Sequence, residues 1–258
     1  MSKNLEGKVA VITGAGRGIG RAIALGFAEA GADIAICARS SGPLEEVKEQ
    51  VEAKGQDCLS QALDVADPQA VEHFCNAVIS RYGKVHILIN NAGSYRDRGA
   101  FDQSDPTEWW RTIEVNLRGP YLMTRHFISA MLEGAKIINM NSGKGYSAGQ
   151  NSSSYHVSKA ALKMFTESLA NEMWNQKIDV NTIIPGPTAT TTLSQQDPNS
   201  GVATETILEK FTNEPPAGLP AWERVKHPDE VAALALHLAY YPIGGPTGQV
   251  FSLARRPL

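Results

Sequence analysis

Val9-Ala10-Val11-Ile12-Thr13-Gly14-Ala15-Gly16-Arg17-Gly18-Ile19-Gly20 is the stretch on which the fold turns. Five residues of strand character run into four closely spaced glycines, and an amphipathic helical pattern follows over Ile19–Ala30. Glycine permits a tight left-handed turn and lets the main chain approach an anion. The start of a helix offers unpaired N–H groups and the positive end of its dipole. Strand, glycine turn and helix in that order predict the phosphate-binding turn of a dinucleotide fold.

Outward from this turn, short Val- and Ile-rich runs alternate with longer amphipathic stretches. The runs are Val9–Thr13, Ile34–Ala38, Cys58–Leu63, His86–Asn90, Lys136–Met140, Asp179–Ile184 and Gly248–Leu253. Helical patterns lie at Ile19–Ala30, Leu44–Ala53, Pro68–Arg81, Pro106–Leu132, Ser154–Trp174 and Pro228–Ala239. Several runs are apolar on both faces, as a sheet covered by helices on each side requires. The expected fold is α/β: a doubly wound, mostly parallel, Rossmann-like sheet of about seven strands, forming one domain over 1–258. An aperiodic, Pro-, Thr- and Ser-rich insertion at about 187–227 reads as a substrate loop.

Composition narrows the function. A net charge of -3 provides no basic field for nucleic acid and points to a small-molecule ligand. Met1 to Gly7 lacks the apolar core of a signal peptide, and no apolar run reaches the roughly 20 residues that span a bilayer. A cytoplasmic protein without a membrane partner is expected. Cys37, Cys58 and Cys75 have no C-x-x-C spacing and read as free buried thiols, and no metal site is expected.

Written from Thr13, the glycines follow T-G-x-x-x-G-x-G. This resembles the short-chain dehydrogenase/reductase superfamily, and the resemblance extends through Asn90-Asn91-Ala92-Gly93, Asn116, Ser142, Tyr155-x-x-x-Lys159 and Pro185-Gly186, all in family order. It implies an NAD(P)-dependent alcohol dehydrogenase or carbonyl reductase with Asn116, Ser142, Tyr155 and Lys159 as catalytic residues. Hydride transfer to a carbonyl leaves an alkoxide, so a proton donor is needed. Tyr155 can be that donor, with Lys159 one turn along the helix favouring the phenolate. By resemblance, Lys159 also holds the nicotinamide ribose and Asn116 anchors a water that relays protons from solvent. The Ser142 hydroxyl would steady the substrate oxygen.

Cofactor contacts are expected from Gly14, Arg17, Gly18, Ile19, Gly20, Arg39, Ser40, Asp64, Val65, Asn90, Ala92, Gly93, Tyr155, Lys159, Pro185, Gly186, Thr188 and Thr190. NAD-specific folds carry an acid at the end of the second strand to accept from the ribose 2′-hydroxyl. Here Ala38 replaces it and is followed by Arg39 and Ser40, which suit a 2′-phosphate. The expected cofactor is NADP (NADPH), with NAD disfavoured.

The substrate wall is expected from Ser94, Tyr95, Ser142, Gly143, Lys144 and Tyr155, with Arg96 and Arg98 adding charge and Gly145, Tyr146 and His156 nearby. A small polar or anionic hydroxy or keto substrate fits these residues. A reductase of 3-oxoacyl thioesters shares the same motifs, and a catalytically silent NADP-binding regulator is the reading from a different class. By analogy with relatives, the helices Pro106–Leu132 and Ser154–Trp174 would form a homotetramer or dimer. The tail Ser252–Leu258 departs from the Asp-Gly-Gly ending common in the family.

Overall fold

The computed structural model describes residues 4–96, 98–194, 202–214, 216, 219 and 222–255. Seven strands form a single parallel sheet: β1 (Val9–Thr13), β2 (Asp33–Ala38), β3 (Cys58–Ala62), β4 (Val85–Asn90), β5 (Met131–Met140), β6 (Asp179–Ile184) and β7 (Val250–Ser252). The α-helices among the described residues are α1 (Gly18–Glu29), α2 (Ser41–Glu52), α3 (Pro68–Tyr82), α4 (Pro106–Ile113), α5 (Gly119–Phe127), α6 (Ser153–Glu172), α7 (Thr191–Ser194), α8 (Thr204–Asn213) and α9 (Pro228–Ala239).

Strand order is β3-β2-β1-β4-β5-β6-β7. The direction of winding therefore reverses between β1 and β4, and the crevice at the carboxyl ends of those two strands is where such sheets take their ligands. Successive strand residues face opposite layers. Ile12, Ile34 and Ile36 accordingly pack with Ile23, Phe27 and Val231 from α1 and α9. Val11, Leu88 and Val180 pack on the other face with Val71, Phe74 and Phe127 from α3 and α5. Cys37, Cys58 and Cys75 are free and buried, and burial pushes the Cys58 and Cys75 thiols up to about 12.

The expected helix Pro106–Leu132 is not continuous. It opens into a π-helical turn at Glu114–Arg118, resumes as α5, and ends in a 3-10 turn at Ile128–Ala130. Pro120 has no N–H to give the carbonyl four residues earlier, that of Asn116, which favours the wider turn. Met131 and Leu132 belong instead to β5, whose register against β4 jumps between Met131 and Lys136. The 187–227 insertion is less irregular than its composition suggests. Ile207 in α8 is buried with Ala189 and Val225, and Leu193, Val202, Leu208 and Phe211 pack around them as a separate small core. Residues 195–201, 215, 217–218 and 220–221 of the insertion, and 256–258 of the tail, lie outside the described residues.

At the opposite end of the sheet, Lys136 and Asp179 form a buried ion pair, and Lys136 Nζ also donates to the Pro242 carbonyl at 3.1 Å. Asp179→Ala is expected to cost about 3–5 kcal/mol, because an ammonium is left buried without its counter-charge. Urea unfolding would measure this, and adding Lys136→Met should recover much of the loss.

Candidate active site

Thr13 joins the two central strands. Its hydroxyl oxygen accepts the main-chain N–H groups of Asn91 (3.0 Å) and Ala92 (2.9 Å), while Asn91 Nδ2 donates to the Thr13 carbonyl at 2.9 Å and the Gly14 carbonyl at 3.2 Å. These contacts hold the glycine turn against the end of β4 so closely that side chains are excluded. A Cβ on Gly14, where φ is +67°, would lie 2.9 Å from Ala92 Cα, and one on Gly20 would lie 2.4 Å from the Gly14 carbonyl oxygen. The turn leads into α1 at Gly18, whose first N–H groups have no partner within the helix.

A cleft of about 2140 Å³ runs from this turn across the carboxyl ends of the strands. Gly14, Arg17, Gly18 and Ile19 line it, whereas Gly20 lies beneath the turn. Arg39 and Ser40 stand at the end of β2, followed by Asp64 and Val65. Asp64 is ion-paired with Arg111, which sequence reasoning missed because the helix bearing it is distant in the chain, and accepts the Ala66 N–H at 3.0 Å. Arg39 is largely exposed; partial loss of water around it, and then the charges of Arg96 and Arg111, lower its pKa. Arg96 pairs with Glu108 and, unlike Arg98, does not line the cleft, where both were expected to add charge.

Asn91, Ala92 and Gly93 line the crevice, but Asn90 does not. Its side chain is buried, donating to Asn139 Oδ1 at 2.8 Å and Thr124 Oγ1 at 3.4 Å, so it braces β4 against β5 and α5. The neighbour with the same amide, Asn91, faces the turn; the alternation of a strand decides which of two adjacent asparagines points where. On the far side, Pro185, Gly186, Thr188 and Thr190 line the cleft, with Gly186 at φ +68°. Thr188 is buried and bridges to Lys226.

Ser142, Tyr155 and Lys159 come together in the same cleft. Ser142 follows β5 and hydrogen-bonds the Tyr155 phenol. Lys159 is buried, its Nζ donates to the Met140 carbonyl at 2.8 Å, and it stands 5.6 Å from the centroid of the Tyr155 ring. The strand end is fastened to α6 by Asn141 Nδ2, which donates to the Lys159 carbonyl at 3.1 Å. Gly145 sits so close to this helix that a Cβ would lie 2.7 Å from the Lys159 carbonyl carbon.

Burial pushes the Tyr155 phenol up to about 12 in spite of the Ser142 hydrogen bond, and burial pulls Lys159 down to about 8. The ammonium that the spacing predicts would draw the phenol down is spent on a main-chain carbonyl, so desolvation dominates both groups. Asn116 is buried and does not line the cleft. Its Oδ1 accepts the Ser94 N–H at 2.7 Å, and its Nδ2 donates to the Ser94 carbonyl at 2.8 Å and to Ser158 Oγ at 3.0 Å. The side chain thus ties the Ser94 loop to α6.

Ser94, Tyr95, Gly143, Lys144 and Arg98, expected at the substrate wall, line the same cleft. Tyr95 stacks on Tyr155 with ring centroids 4.3 Å apart. Gly145, Tyr146 and His156 do not line it; His156 Nδ1 lies 2.7 Å from the Lys144 carbonyl oxygen and 2.9 Å from that of Ser147, bracing the loop.

A phosphate-binding turn at the switch point of a doubly wound sheet, with a phenol, a hydroxyl and an amine converging beside it, defines a class of oxidoreductase scaffold. Residues 8–201 match the sequence model of the short chain dehydrogenase family, and the chain belongs to that family. It is 40% identical over 196 residues to the short chain dehydrogenase tazN of Aspergillus terreus, a match covering 72% of this chain and 42% of that protein. It is 34% identical to versicolorin reductase 1 of Aspergillus parasiticus, over 93% of this chain and 92% of that one. Among solved structures, a Burkholderia cenocepacia short chain dehydrogenase in complex with NADP superposes with a TM-score of 0.81 at 30% identity, covering 96% of this chain and 97% of that one. No helix among the described residues is long and apolar enough to cross a membrane.

Proposed function

We propose that this protein interconverts a secondary alcohol and a ketone or aldehyde with NADP(H), using Tyr155 as general acid/base, and that its substrate is small and polar. The observation that carries the reading is the convergence of Tyr155, hydrogen-bonded by Ser142 and with Lys159 one turn away, in the cleft that begins at the glycine turn. The residues suit a dinucleotide: a Cβ at Gly14 or Gly20 would collide with the turn's own packing, and the start of α1 offers its N–H groups to a pyrophosphate. Arg39 and Ser40 stand where the adenosine ribose would lie, with no acid at Ala38 to repel a 2′-phosphate. The NADP complex of the Burkholderia relative supports the same cofactor class.

When bound, the reduced nicotinamide supplies a hydride to the carbonyl carbon. Ser142 holds the carbonyl oxygen as negative charge gathers there, and Tyr155 Oη gives that oxygen its proton to complete the alcohol. The tyrosinate left behind takes a proton passed on by Lys159 Nζ, which is restored from solvent through the Asn116 turn. Oxidation runs the same transfers in reverse. Exposed Trp110 and Tyr121 near α4 and α5, and Val157 and Met164 on α6, are apolar surface suited to the homo-oligomer that the family resemblance implies.

Fluorescence titration with NADPH and NADH, followed by a carbonyl panel with the preferred cofactor, tests the proposal. Arg39→Asp should reverse the preference, weakening NADPH by roughly 10- to 100-fold, the worth of one charge-assisted phosphate contact. Equal affinities for the two cofactors before and after the substitution would show that Arg39 does not read the phosphate.

A further inference from the structure

We propose that Lys144 and Arg98, assembled around Tyr95, form a carboxylate subsite beside the reacting centre, so that the substrate is a hydroxy acid or keto acid. The inference rests on the alcohol–carbonyl reading above and names the substrate class within it. Lys144 is half-buried, lines the same cleft as Ser142 and Tyr155, and is tied to both. Its main-chain N–H donates to Ser142 Oγ at 3.3 Å. Its Nζ donates to Tyr95 Oη at 2.7 Å and Ser152 Oγ at 3.0 Å, and the Tyr95 ring stacks on Tyr155.

The Arg98 guanidinium carbon lies 4.0 Å from the Tyr95 ring centroid, while the Tyr155 centroid lies 4.3 Å from it. Two planar groups at those distances cannot share one face, so Tyr95 is held between them. Arg98 is itself held by two main-chain carbonyls, Nε donating to that of Tyr95 at 3.0 Å and Nη2 to that of Thr192 at 3.2 Å.

What marks these two cations is the nature of their partners. Nearby Arg111 pairs with Asp64 and Glu114, Arg96 with Glu108, and Lys163 with Glu167. Among the described residues neither Lys144 nor Arg98 has a carboxylate within ion-pair distance; every acceptor they have is a hydroxyl or a carbonyl. A half-buried ammonium held by neutral oxygens has lost part of its hydration without gaining a counter-charge, which is favourable to an arriving anion. Donor capacity remains: one N–H on Lys144, and three on Arg98 after its two carbonyl bonds. A carboxylate accepting from both, around the edge of the Tyr95 ring, would hold a carbonyl further along the same molecule against Ser142 and Tyr155.

The test uses keto acids of increasing chain length, each paired with its methyl ester, an isostere without the charge. With the NADPH-loaded protein the acids should be reduced with kcat/KM roughly 10- to 100-fold above their esters, the range of a charge-assisted hydrogen bond. Lys144→Met should bring the acid-to-ester ratio close to one, and Arg98→Gln, at an exposed position, should lower it by a smaller factor. Calorimetry of the same acids on protein saturated with NADP+ is read in parallel. Acid binding that falls roughly tenfold or more in Lys144→Met supports the subsite even where turnover is absent, in which case the alcohol–carbonyl reading is the part that fails. Reduction of esters and acids at equal rates, or acid affinity unchanged by both substitutions, overturns the subsite and leaves that reading standing.

Discussion

Tyr155→Phe is expected to lower turnover by about 10²- to 10⁴-fold, the contribution of a positioned proton donor, with a far smaller effect on dinucleotide affinity. Phenylalanine keeps the ring that stacks on Tyr95 and removes only the hydroxyl that Ser142 hydrogen-bonds. The loss should therefore fall on kcat and not on the fold, and steady-state kinetics beside a cofactor titration would separate the two. Turnover equal to that of the parent protein would remove Tyr155 from the chemistry. The phenol's rise to about 12 also sets which form does the work: at neutral pH it is protonated and ready to donate, as reduction requires.

Lys159 is expected to impose the pH dependence and to be maintained at a cost in stability. Its folded value of about 8 lies below the 10.5 of a free lysine because burial disfavours the ammonium. A lowered lysine value means that the folded state binds the proton more weakly than the unfolded chain does. Its penalty is absent above about 10.5, grows as pH falls towards 8, and is complete below that. The shift corresponds to about 3 kcal/mol. Lys159→Met removes this penalty and leaves the Met140 carbonyl without its donor, which costs about 1–2 kcal/mol in return. The variant should thus be about 1–2 kcal/mol more stable than the parent at pH 7, with the advantage lost between about pH 9 and 10 and the order reversed by about pH 10.5, while turnover falls steeply. Urea unfolding at the two pH values checks the sign. A variant that is less stable at pH 7 would show that the ammonium contributes more to the fold than its burial costs. In the parent protein, reductive turnover should decline as pH rises through about 8, where the lysine loses the proton it passes on.

Opposing effects on stability and turnover at one residue are expected where a charged group is held out of water for chemistry. The carboxylate subsite would share this character, since Lys144 is held by neutral oxygens and gains a counter-charge only from a ligand.

The sheet was legible in the chain because most of its strands contain a short apolar run between turn signals, although the first half of β5 was read as helix. The glycine turn was legible because its constraint is local: only residues without a Cβ fit between Gly14 and Ala92. Tyr155 and Lys159 could be paired from sequence because one helical turn separates them. What the sequence alone did not contain is set by contacts between distant segments. The packing of α8 on Ala189 and Val225 depends on neighbours far along the chain. So do the pairing of Asp64 with Arg111 and the turning of Asn90 inward and Asn91 outward. The two pKa values likewise follow from burial, which exists only once the layers have closed over the site. Sequence by itself therefore determined the scaffold and the order of the reactive groups along it. The tertiary structure decided which of them face the cleft, what each is bonded to, and how strongly each holds its proton, because desolvation and charge act through space and not along the chain.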